Sequence, residues 1–336
     1  MKHLALVVCN NGLGHLKRSF FLLKLLYDCY PVAFQTHIFV DLRKLKHFQF
    51  LIEDFKKRGY KIHFLNIESE VLNYEEEFLG KYKAHLAKTD YFWSDNLLFP
   101  LKYRREVFLT GSFLWSEVIR TDKKLKKEKE LYLTKRPSMI GNKYFATPLV
   151  KENPSFMGVG IYNYFLDQVP SKNQRHVLLS CGKTKEGSHF FKKSLPKIQA
   201  GLRRLPQHVQ VFVEPEFYPA LKESNGIRKA AFTRQMFSSI LAAVIRPGMG
   251  TVCDVLSKGG RIFSFFEQGN FETVYNSRVL EKFQVGEQFT EIDVALAAGV
   301  DYLFDEQKQK RHRAALRKLD FNGLETTVKK MREILN

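Results

Sequence analysis

The sequence predicts an α/β protein made of two Rossmann-like domains, on three observations. The chain has 336 residues, more than one hydrophobic core comfortably organises, so two domains of about 150 residues are the natural division. Short apolar, β-prone runs alternate with stretches of helical periodicity, which favours parallel sheets. Each half also opens with a strand that passes through a glycine turn into a helix.

The first such unit is the run Leu4 to Cys9, which ends in NNGLGH (Asn10 to His15) before Leu16, Phe20, Leu23 and Leu26 recur at helical spacing. His37 to Val40 reads as a strand, Leu45 to Arg58 as one amphipathic helix, and Lys61 to Leu65 as the next strand. Tyr91 to Asp95 and Glu106 to Thr110 add two strands, and Lys143 to Ala146 is a further short apolar segment. Pro148, Pro154, Gly158, Gly160 and Pro170 then follow closely. Breakers at that density predict a boundary, dividing an N-terminal domain, 1–160, from a C-terminal domain, 161–336.

The second series begins at His176 to Ser180, turns at Gly182 and runs as a long helix to Leu205. Strands are expected at Val209 to Val213, Ala242 to Ile245 and Arg261 to Phe265, with a helix from Thr251 to Lys258 between the last two. Gln307 to Leu335 is helical in propensity throughout.

Composition is that of an ordinary globular protein, 44% hydrophobic and 26% charged. The run Leu4 to Cys9 is too short for a secretory signal core, and no stretch approaches the roughly 18 apolar residues of a membrane helix, so a cytoplasmic protein is expected. Cys9, Cys29, Cys181 and Cys253 form no CxxC pair; reduced cysteines packed in cores are the expectation, with no metal site. The net charge of +19 fits nucleic acid, an anionic membrane face or a phosphate-bearing substrate, and charge alone does not choose among them. The Lys-rich run Lys123 to Arg136 carries Glu128 and Glu130 within it, as a solvated helix would, and it reads equally as a docking patch. Nucleic acid is not inferred from it.

Chemistry concentrates in RPGMGT, Arg246 to Thr251, between an apolar strand and a helix. Amides at a helix N-terminus are unpaired and carry the positive end of the dipole, and Gly248 and Gly250 would let an anion come close. Such glycines also serve plain tight connections, so both readings stand on the turn alone. From Arg246 to Gly286 the sequence RPGMGTVCDVLSKGGRIFSFFEQGNFETVYNSRVLEKFQVG resembles the donor-nucleotide motif of GT-B glycosyltransferases. It is most similar to the family of the N-acetylglucosaminyltransferase that completes lipid II.

That resemblance implies two Rossmann-like domains facing a cleft, with a nucleotide-sugar donor, a UDP-sugar, in the C-terminal half, and a last helix that crosses back onto the N-terminal domain. Arg246, Gly248, Met249, Gly250 and Thr251 would cradle the diphosphate, and Asp254 would hold the ribose hydroxyls as a carboxylate accepting from a cis-diol. Most relatives have Glu there. The family's acidic and amide pair that holds the sugar falls on Glu272 and Thr273, ahead of Asn276, where Thr273 departs from the usual amide; Glu267 and Gln268 are an alternative pair. AFTRQM, Ala231 to Met236, is similar to the family's FxxxM segment, with backbone near Thr233 pairing with the base. Gly182 and Thr184 fall on its second glycine loop and would reach the diphosphate.

In the N-terminal half, GLGH resembles the superfamily's glycine loop, which places Gly12 and Gly14 at the donor and makes His15 the general base. Imidazole is the side chain suited to taking a hydroxyl proton near neutral pH. A lone His after a glycine turn is also an ordinary loop residue. Asp95, at the end of its strand, would orient His15, or else cap a helix. Lys17 and Arg18 would add charge near the leaving diphosphate, and Ser112 and Trp115 would line the acceptor side. No Asp-x-Asp occurs in the chain, so metal-independent transfer without a cofactor is expected, to an acceptor glycan, glycolipid or small molecule. An anionic membrane face is the setting in which a lipid-linked acceptor and the basic charge would meet. GLGHLKR equally fits the start of nucleotide-sugar hydrolases of the pseudaminic acid pathway, and a non-catalytic sugar-nucleotide binder is the third reading.

Overall fold

The computed structural model describes residues 2–30, 34–165, 176–182, 185–224, 226–266 and 269–336. They form two compact units, Met1–Gly160 with Asn322–Asn336, and Ile161–Phe321.

The first unit is built on a seven-stranded sheet of β1 (Lys2–Val8), β2 (Phe34–Val40), β3 (Ile62–Asn66), β4 (Tyr91–Asp95), β5 (Val107–Thr110), β6 (Ser138–Asn142) and β7 (Phe156–Val159). Its order is β3-β2-β1-β4-β5-β6-β7, and every pairing is parallel. Leu4 to Val8 are fully buried because helices cover both faces of a parallel sheet, which is why this strand reads as an unbroken apolar run. The helix Gly323–Leu335 packs on the helix Leu13–Cys29 and on β6 and β7, and the Lys2 ammonium donates to the Leu335 carbonyl at 3.2 Å.

The second unit holds β8 (His176–Ser180), β9 (Gln210–Val213), β10 (Ile227–Lys229), β11 (Ile240–Ile245), β12 (Arg261–Phe265) and β13 (Gly286–Phe289). They form a six-stranded parallel sheet in the order β10-β9-β8-β11-β12-β13. Both sheets therefore reverse their winding beside the first strand, between β1 and β4 and between β8 and β11. In open α/β sheets the carboxyl ends of the strands at such a reversal are where ligands bind.

Several elements differ from the sequence reading. The breaker-rich stretch after Lys143 holds the helix Pro148–Lys151 and the edge strand β7. Pro148 sits in the first turn behind the Thr147 cap, where proline is favoured, and glycine is tolerated on an edge strand. Leu45 to Arg58 is not one helix: a 3-10 segment, Leu42–Phe48, capped by Asp41, precedes the helix Gln49–Lys57. The Lys-rich run is the helix Lys123–Lys135, which buries Leu125, Glu128 and Tyr132 on one stripe. Glu128 is thus not solvated; it lies 3.5 Å from Lys102, and burial pushes its carboxyl up. No helix of the described residues is long and apolar enough to cross a membrane.

One polar cluster in the first unit ties its stability to pH. The His37 ring on β2 lies 5.2 Å from His63, 5.0 Å from His85 and 6.1 Å from His3. Burial, then the neighbouring imidazoles, lower the His37 pKa from 6.5 to about 4. A histidine with a depressed folded-state pKa contributes stability above its unfolded value, and that contribution fades as pH falls from about 6.5 towards about 4. Urea midpoints measured across this interval are expected to fall less steeply for His37→Asn than for the wild type; parallel curves would remove His37 from the pH response.

Candidate functional site

The carboxyl ends of β1 and β4 bring together the first group of residues. Asn10, buried after β1, donates to the Ile67 and Ser69 carbonyls at 2.7 and 3.0 Å and accepts from the Asp41 amide at 3.0 Å. The loop is thereby pinned before the helix Leu13–Cys29. Gly12 caps that helix at φ 86°, a left-handed conformation that glycine adopts without strain. Gly14 is exposed in the first turn, and His15 follows with its side chain mostly enclosed.

His15 Nδ1 lies 2.8 Å from Asp95 Oδ2. Asp95 is completely buried, and its other oxygen accepts from Arg18 Nε and from the Thr110 hydroxyl, both at 3.1 Å, and from Arg18 Nη2. Trp93 Nε1 in turn donates to the Thr110 hydroxyl at 2.9 Å. Burial pushes the Asp95 carboxyl up, but Arg18 and His15 more than offset it, and the net shift is downward. An ionised carboxylate at that distance assigns the imidazole proton to Nδ1 and leaves the lone pair on Nε2, the tautomer a general base needs.

Two sequence readings change here. Asp95 caps no helix, since the next helical segment, Phe99–Lys102, has Leu98 at its cap. Arg18 is buried against Asp95 rather than displayed to a phosphate. The Trp115 ring lies 6.1 Å from His15, and Ser112 is buried.

In the second unit, β11 delivers Arg246, Pro247 and Gly248, and the helix Met249–Ser257 starts two residues earlier than expected. Met249, Gly250 and Thr251 are therefore its first turn, where amides lack intrahelical partners. Gly248 has φ −73°, and a Cβ there would meet nothing within 4 Å. Neither backbone strain nor packing requires glycine at that position, and the face beside its α-carbon is open. Asp254 is buried one turn on.

Glu272, Thr273 and Asn276 lie on the helix Phe271–Lys282, capped by Asn270. Glu272 is half-buried. Thr273 does not share its direction, because adjacent helical residues diverge by about 100°; it is buried, and its hydroxyl donates to the Asn270 carbonyl at 3.2 Å. Buried Asn276 donates to the Pro247 carbonyl at 2.9 Å and so fastens this helix to the glycine turn. Glu267 and Gln268 lie outside the described residues, as does Thr184.

Gly182 follows β8 at φ 83°. Glu214, which the sequence reading missed, anchors this turn from the end of β9: it is buried and accepts from the Ser180 hydroxyl at 3.0 Å and the Cys181 amide at 3.1 Å. Its sequence signal was a carboxylate set directly after an apolar strand. Thr233 is exposed and caps the helix Arg234–Ser239, its side chain accepting from the Met236 amide at 3.3 Å. Cys9, Cys181 and Cys253 are buried and Cys29 is exposed. Among the described residues no cluster of three or more His, Cys, Asp or Glu is placed to hold a metal ion.

No family profile and no curated protein matches this sequence. Solved structures do share its fold. CalG4, the calicheamicin glycosyltransferase, superposes with a TM-score of 0.66 at 12% identity, over 99% of this chain and 98% of that one. UGT2 of Phytolacca americana, complexed with UDP-2-fluoroglucose and pterostilbene, gives 0.66 at 11% identity over the whole of both chains. MurG of Acinetobacter baumannii gives 0.62 at 12% identity, over 99% of this chain and all of that one. The fold is that of the two-domain GT-B glycosyltransferases.

Asn276 supplies a test of the turn's support. Asn276→Ala leaves the buried Pro247 carbonyl without its donor and is expected to cost about 1–3 kcal/mol. Chemical denaturation reads this loss, and an unchanged unfolding midpoint would show that the tie carries no weight.

Proposed function

We propose that the protein is a glycosyltransferase that moves a hexosyl or N-acetylhexosaminyl group from a UDP-sugar to an acceptor hydroxyl, with inversion and without a metal ion. The observation that carries this reading is the His15 and Asp95 pair at the winding reversal of the first sheet, 2.8 Å apart and backed by Arg18 and Thr110. The acceptor oxygen attacks the anomeric carbon, its proton passes to His15 Nε2, and the bond to the diphosphate breaks with its electron pair leaving on the phosphate oxygen. Asp95 stabilises the imidazolium that forms.

The second unit supplies the donor site. Arg246 and the amides of Met249, Gly250 and Thr251 receive the diphosphate, and the open face at Gly248 admits it. Asp254 takes the ribose hydroxyls and Glu272 the sugar, with Gly182 on the phosphate side and the base against the backbone at Thr233. Thr273 and Asn276 act on this site through the helix that they stabilise. UGT2, which shares the fold, is complexed with UDP-2-fluoroglucose and pterostilbene, a UDP-sugar analogue and a small hydroxyl-bearing molecule.

A donor panel followed by release of nucleoside diphosphate tests the reading. UDP release that depends on acceptor is expected, and His15→Ala should lower it by about 10²–10⁴-fold. Full-rate turnover without acceptor would favour the hydrolase that the GLGHLKR start also fits. Unchanged turnover in His15→Ala would exclude His15.

The acceptor is a glycan, glycolipid or small molecule, and the surface favours one presented at an anionic membrane. Leu42 and Phe50 are 39% and 60% exposed on the segment that also exposes Arg43, Lys46, Lys56 and Lys57. Exposed apolar side chains on a segment that also carries exposed basic ones suit the headgroup region, although Glu53 and Asp54 lie one turn from Phe50. Flotation with anionic liposomes should carry the protein at low salt and release it at high salt, and Phe50→Ser should weaken it. No binding at low salt would dismiss the membrane setting.

A further inference from the structure

Asn96, immediately after the buried Asp95, has no hydrogen-bond partner for either atom of its carboxamide, although it is only 3% exposed. It holds φ 62°, left-handed for a residue with a side chain. Its carboxamide occupies the space of a Cβ at position 111, so Gly111 is glycine because Asn96 lies across it. Trp115, whose ring flanks His15, also buries an indole N–H without a partner. A buried donor or acceptor left unpaired is costly and calls for an explanation. The three unpaired polar atoms belong to the residue that follows Asp95 and to the tryptophan whose ring lies 6.1 Å from His15, at the strand ends where ligands bind.

The geometry points to Asn96, assisted by Trp115 Nε1, as the group that receives the acceptor's polar substituents next to the attacking hydroxyl. A carboxamide offers one acceptor and two donors, which matches a sugar-like diol or an acetamido-bearing ring. A purely aromatic acceptor would leave those atoms unpaired. This inference rests on the transferase reading of His15. Asn96 is a positioning residue: it fixes the ring so that one hydroxyl faces Nε2 of His15. Asparagine tolerates this backbone conformation; what a turn alone leaves unexplained is the buried, unpaired carboxamide.

The full chain, saturated with UDP, is titrated with methyl β-D-glucopyranoside and methyl N-acetyl-β-D-glucosaminide. The side-chain amide proton pair of Asn96 is followed by NMR and assigned by its absence in Asn96→Gly. A saturable shift of this pair is expected with at least one glycoside. In the turnover assay Asn96→Gly should raise the KM of that glycoside about tenfold or more, while calorimetry shows wild-type affinity for UDP. An amide pair that no glycoside moves, or that contacts water alone, overturns the inference, as does an unchanged KM in Asn96→Gly. Failure of the transferase reading appears separately, as absence of UDP binding and release in the wild type.

Discussion

A single buried carboxylate organises the first unit's site. Asp95 has no exposed surface, and an unpaired charge there would be strongly unfavourable; Arg18, Thr110 and His15 together make it tolerable. The same bonds decide where each partner points. Arg18, one helical turn beyond His15, holds the helix Leu13–Cys29 against the end of β4, and the imidazole is left in one tautomer. Orientation of the imidazole is therefore a by-product of neutralising a buried charge. Glu214 performs a comparable service in the second unit, where a buried carboxylate takes a hydroxyl and an amide from the turn after β8.

Parallel winding explains why the two groups recur at equivalent places. Each sheet reverses beside its first strand, and at that reversal the loops after two neighbouring strands splay apart. Glycine enters these loops for different physical reasons. Gly12 and Gly182 occupy left-handed conformations, whereas Gly248 has ordinary backbone angles and open space around it. Only in the third case does the backbone itself place no demand for glycine.

β1 to β5, β8, β9, β11 and β12 were legible because burial on both faces writes them as apolar runs, and the glycine turns because few residues fit their dihedral angles. β6, β10 and β13 drew no strand reading, and the apolar segment Lys143 to Ala146 is a turn that follows β6. β7 was hidden because an edge strand with Pro and Gly near it resembles a boundary. The roles of Arg18 and Thr273 were hidden for another reason. Whether a polar side chain faces a ligand or its own backbone depends on which neighbour lies within hydrogen-bond reach, and neighbours such as Asp95 are remote in sequence. Glu214 was missed on the same ground: its carboxylate stands out, but its partners, Ser180 and Cys181, lie more than thirty residues away.

Commitment of Arg18 to Asp95 also constrains the electrostatics of the proposed transfer. A guanidinium that neutralises a buried carboxylate has little field left to offer a departing diphosphate. On that reading, stabilisation of the leaving group falls to Arg246 and the first turn of the helix Met249–Ser257, whose amides and dipole are fixed before the donor arrives. Fixed dipoles need no reorganisation as charge develops, so the rigidity of this turn matters as much as its charge. Asn276 supplies that rigidity through the Pro247 carbonyl. In the proposed transfer the division of labour is physical: buried charges in one unit would place a base, and backbone amides in the other would receive an anion.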